Sequence, residues 1–194
     1  MKTVRAISLL IAVAAAPAFA QNAQQDVNRN INQQSRIESG LQSGQLTTRE
    51  AARLERREAA VDKAESRAMR DGTVSATEQA RITRMQNGVS ADIRAEKHDA
   101  QTGNPQSASS QRMQADVQRD INQQKRIAAG VNNGSLTNHE AAKLENGQAR
   151  TARQEARAGS DGHVGAAEQT RIQKNENRQS RRIHREKHDA QHHG

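Results

Sequence analysis

The chain has 194 residues, with 30 Lys+Arg against 22 Asp+Glu, no cysteine, tryptophan or tyrosine, and one phenylalanine. Without cysteine there can be no disulfide, thiolate metal site, cysteine nucleophile or lipid-modified cysteine anchor. Beyond residue 20 only 20 residues are Leu, Ile or Val; at about 11 % this falls below the roughly 20 % expected of a well-packed chain, which argues against a large enzyme core.

The first twenty residues read as a secretory signal. Lys2 and Arg5 form a positive start, Ile7 to Ala16 an apolar stretch, and Ala18-Phe19-Ala20 a small-x-small cleavage site. That stretch is shorter than the ~20 residues of a spanning helix. Cleavage after Ala20 predicts a mature protein of Gln21–Gly194, periplasmic or secreted, with no transmembrane segment.

The remainder is duplicated. Residues 26–101 match 116–191 at an offset of 90 without a gap, with 39 identities in 76 pairs. Module 1 is placed at 21–101, a flexible linker rich in Ser, Gln and Gly at 102–115, and module 2 at 116–194 with a His/Arg-rich tail. The expected fold class is all-α, two tandem three-helix modules. Helices are predicted over 24–39, 48–69 and 76–98, then 114–129, 138–158 and 166–190, from their Ala, Gln, Arg and Glu bias. Glycines 44, 72, 134 and 162 each end one helix. Thr47 with Glu50, Ser75 with Glu78, and Thr137 with Glu140 are spaced as capping boxes that start the next. Gly165 breaks the pattern and predicts the weakest start. Val61, Met85 and Val89 become Thr151, Asn175 and Gln179 in module 2, which predicts a poorer second bundle, partly frayed or stabilised only by a partner.

These stop-start elements resemble the EF-hand helix-loop-helix family. With Gly72 as the central glycine, Asp71, Val74 and Glu78 fall at the fifth, eighth and twelfth loop positions; Asp161, Gly162, Val164 and Glu168 match likewise. A calcium loop also needs oxygen ligands at its first and third positions, where Arg67 and Met69, or Arg157 and Gly159, stand. No calcium binding is expected there. In overall style the chain is similar to small secreted proteins of Gram-negative bacteria.

No phosphate loop, nucleophile elbow or zinc-protease motif is present. The many carboxylates alternate with arginine and read as a solvated face, without an apolar pocket to raise a pKa for acid–base work. No catalytic residue and no enzyme activity is expected; His98 and His188 read as cations at helix C-termini. The expected role is binding or accessory work in the periplasm, with a protein or an anionic envelope component as partner. Two further ligands are suggested. His184, His188 and His192 recur every four residues beside His193, a spacing that would let imidazoles take Ni²⁺, Cu²⁺ or Zn²⁺, although no resident cofactor is required. Arg171, Lys174, Arg178, Arg181, Arg182 and Arg185 fall in a helical stripe about 100° wide that would meet a polyanion.

Overall fold

The computed structural model describes residues 18–189, with side chains from residue 24 onward. The charged and apolar parts of the expected export signal, and His192 and His193, lie outside the described residues. The described chain is all-helical: α1 (Ala18–Ser43), α2 (Thr48–Ala68), α3 (Ala76–Glu96), α4 (Ala108–Asn132), α5 (Asn138–Ala158) and α6 (Ala166–Glu186). None of these helices is long and apolar enough to cross a membrane.

Local chemistry sets the helix starts. Glu50 N–H donates to Thr47 Oγ1 (3.2 Å) while Thr47 N–H donates to Glu50 Oε2 (2.8 Å). The same reciprocal pair closes Ser75 with Glu78 and Thr137 with Glu140. At α6, Glu168 Oε2 still accepts from Gly165 N–H at 2.8 Å, but glycine has no oxygen to return the bond. Gly44, Gly72, Gly134 and Gly162 all have φ between 72° and 91°, the left-handed turn that a Cβ resists.

The two sequence halves do not close separate cores. The most extensive helix contacts join α2 to α5 and α1 to α4, across the repeat. One apolar cluster packs Ile37, Leu41 and Leu54 with Met113, Val117 and Ile121; the other packs Met69 and Ile82 with Leu136, Leu144 and Ile183. The start of α2 therefore lies beside the end of α5, and the pairs run antiparallel. Ala52 and Ala59 on α2, and Ala142 and Ala149 on α5, are small residues at seven-residue spacing, and all are buried. Such positions let paired helices approach closely. Helix α3 flanks α1 and α2, and α6 flanks α4 and α5 in the same way.

Two expectations need correction. Residues 108–115 belong to α4, and the rest of the supposed linker is held in place: Gly103 N–H donates to Gly44 O at 2.8 Å. Its backbone lies so close to Leu46 O that a Cβ would clash there. The second half is not frayed either, because its apolar residues share a core with the first: Ile121, Ile127, Leu144, Ile172 and Ile183 are at most 1 % exposed.

A shared core has a direct consequence. Residues 21–104 and 105–194, produced separately, should each melt broadly at low temperature, and mixing them should restore a cooperative helical transition in circular dichroism. Two halves that each melt as sharply as the whole chain would contradict the shared core.

Candidate functional site: a buried carboxylate seam

Helix α2 carries Glu55, Glu58, Asp62 and Glu65, alternately three and four residues apart, on one side of the helix. All four are at most 4 % exposed. They lie between the apolar ends of α2, facing α1, α4 and α5 rather than water. Helix α5 repeats the pattern with Glu145, Gln148 and Glu155, and α4 adds Asp116 and Asp120, all buried.

Two groups of three carboxylates result. Oxygens of Glu55, Asp120 and Glu155 lie within 4.8 Å of one another, as do those of Asp62, Glu65 and Glu145. Glu55 and Glu145 are repeat equivalents, as are Glu65 and Glu155. The surrounding hydrogen bonds repeat as well. Gln34 Nε2 donates to Glu55 Oε2 (3.0 Å) and Gln124 Nε2 to Glu145 Oε2 (3.1 Å). Gln79 and Gln169 hold Asp26 and Asp116 at 2.9 and 2.6 Å.

The halves differ where it matters chemically. In the group centred on Glu65, amides supply protons: Asn30 Nδ2 donates to Glu65 Oε2 (2.8 Å) and Gln86 Nε2 to Glu65 Oε1 (3.1 Å). The equivalent positions in the other group hold Asp120 and Glu176, which are carboxylates. No amide, hydroxyl or basic side chain donates to either oxygen of Glu155, Oδ1 of Asp120 or Oε1 of Glu55. Asp120 and Glu155 face one another closely enough to share a proton. Glu176 is the one buried carboxylate with a direct ion pair among the described residues, to Arg119 Nη1 at 2.9 Å.

Desolvation dominates the acidity of these groups. It pushes Glu55 and Glu145 up to about 7, against a partial lowering by Gln34 and Gln124. Asp116 rises to about 8 through burial and the nearby Glu176; Glu176 itself rises to about 7. Glu58, Asp62, Glu65, Asp120 and Glu155 are raised further by burial and by one another. The expectation that the carboxylates form a solvated face is thus corrected: the interhelical seam desolvates them.

The residues singled out from sequence lie elsewhere. Thr47, Glu50, Ser75, Glu78, Thr137 and Glu140 are the helix caps described above. His184 and His188 are exposed on the end of α6 and the turn after it, their rings stacked with centroids 4.3 Å apart. His188 Nδ1 lies 2.7 Å from His184 O. Arg178, Arg181, Arg182 and Arg185 line one groove of about 570 Å³ between α5 and α6. Arg171 and Lys174 are exposed nearer the start of α6 and do not line it. The acidic seam escaped sequence reasoning, although the spacing Glu55-Glu58-Asp62-Glu65 signals one side of a helix. That side could be recognised as buried only once α5 was known to cover it. Comparison with protein-family models, curated proteins and solved structures finds no match to this chain.

The pH dependence follows from the direction of the shifts. The folded chain holds protons that the unfolded chain releases near its ordinary carboxylate range, about pH 4. The resulting stabilisation is complete below that range and is lost as pH rises through the folded values of about 6 to 8. Metal-free protein should therefore melt at a higher temperature at pH 5 than at pH 8.5; a melting temperature that rises with pH would exclude protonated acids in the seam.

Proposed function

We propose that this chain is an exported, non-enzymatic binding protein whose ligand is a hard metal cation, held by Glu55, Asp120 and Glu155 in the shared helical core. One observation carries the reading: Glu155 is fully buried, no amide, hydroxyl or basic side chain donates to either of its oxygens, and carboxylates from two other helices converge on it. Buried uncompensated charge is costly, and it is relieved either by taking up protons or by binding a cation. Three carboxylate oxygens within 4.8 Å of one another suit an ion whose bonds to oxygen are about 2.3–2.6 Å. The donor set is oxygen alone, without imidazole or thiolate, which favours Ca²⁺ or Mn²⁺ over the copper and nickel expected of the C-terminal histidines. Loading must displace protons, so affinity rises with pH. Export rests on the sequence of residues 1–20, and the absence of a recognisable catalytic motif supports a buffering or accessory role in the periplasm.

The internal repeat supplies the test. Asp120→Asn with Glu176→Gln gives this group the amides that its counterpart already has at Asn30 and Gln86, so the variant should fold. For the wild type at pH 8, Mn²⁺ or Ca²⁺ at a hundred times its Kd should add about 2.7 kcal/mol, roughly 5–10 °C in a chain of this size. That gain should vanish in the double variant and in Glu155→Gln, and survive in His184→Ala/His188→Ala. No stabilisation by either ion, or equal stabilisation of the double variant, would overturn the reading.

A further inference from the structure

The groove between α5 and α6 has a counterpart between α2 and α3, and the two differ in the residues that line them. In the first half Arg57 reaches across from α2, its Nε pairing with Asp92 Oδ2 at 2.6 Å and its guanidinium lying over Gly88. That pair bridges the two helices across the space between them. In the second half the position of Arg57 is Gly147, and the position of Asp92 is Arg182. The bridge is lost at both ends, and an open groove of about 570 Å³ remains. Gly88, Ala91 and Ala95 are replaced by Arg178, Arg181 and Arg185, while Ala60 is replaced by Arg150.

Five arginines line this groove against one carboxylate, Glu186, which meets Arg182 Nε at 3.6 Å. Arg178 donates to Asn175 Oδ1, while Arg150, Arg181 and Arg185 close no ion pair among the described residues. The floor is polar: Gln179 lies against Gly147 and donates to Leu144 O at 2.8 Å. From Arg178 to Arg185 the helix rises about 10 Å, so the guanidinium groups span several linked anions rather than a single one.

We propose that this groove binds a short chain of linked phosphates carrying neither a base nor an acyl group. Guanidinium forks match phosphate oxygens in geometry and charge. Beyond residue 20 there is no Phe, Tyr or Trp on which a nucleobase could stack, and no histidine lines the groove. The groove also has no Leu, Ile, Val, Met or Phe in its lining to receive a lipid chain. The site is separate from the carboxylate seam and does not depend on it.

Calorimetry with inorganic tripolyphosphate on the full mature chain, stripped of metal and dialysed, tests the proposal. Tripolyphosphate should bind at least tenfold more tightly than orthophosphate, with affinity falling as salt is raised. Arg181→Gln with Arg185→Gln should weaken it at least tenfold. Gly147→Arg with Arg182→Asp and Gln179→Val restores the Arg57–Asp92 pair of the first half with the valine that accompanies it at Val89, and should abolish binding while leaving the helical circular dichroism spectrum intact. Equal affinity for orthophosphate, unchanged binding by both variants, or binding of single-stranded DNA or anionic lipid vesicles without tripolyphosphate would each overturn it. His184→Ala serves as the control expected to bind like the wild type.

Discussion

Burial of carboxylates between helices is the constraint on which the rest of this structure depends. A chain with so few aliphatic residues closes its core partly with acids, amides and alanine, and each buried acid must take a proton, an amide donor or a cation. The group around Glu65 is largely satisfied by Asn30 and Gln86. The group around Glu155 is not. That difference turns a repeated structural layer into a candidate ligand site on one side only.

The same burial shapes the surface. With Glu55, Glu58, Asp62, Glu65, Asp116, Asp120, Glu145 and Glu155 taken inside, the arginines that alternate with them are left to face solvent without those partners. The formal charge of +8 thus understates how basic the exterior is. The concentration of arginine along α6 lies in its own sequence, at 178, 181, 182 and 185.

The 90-residue sequence repeat links the two candidate sites. Most buried positions are kept between the halves, including the Gln34–Glu55 and Gln124–Glu145 bonds. The differences that alter chemistry are few: Asn30 and Gln86 of the first half correspond to the carboxylates Asp120 and Glu176, and Arg57 corresponds to Gly147. The differences at 120 and 176 leave Glu155 without the amide donors that Glu65 has, and at 147 and 182 both ends of the Arg57–Asp92 pair are absent. One scaffold thus presents closed and open versions of the same two arrangements.

The sequence alone determined the local structure, because that structure is decided over a few residues. A left-handed glycine and a Thr or Ser three residues before Glu fix where a helix stops and the next begins, wherever it packs. Helix bias and the 90-residue repeat were legible for the same reason. Pairing across the repeat was not, since alanine at positions 52, 59, 142 and 149 does not name its partner helix. The acidity of Glu55 or Glu155 was likewise hidden: on an isolated helix both are ordinary exposed acids next to arginines. Only when α5 lies antiparallel against α2, and α4 against α1, are these groups withdrawn from water, and desolvation then sets their charge and their use.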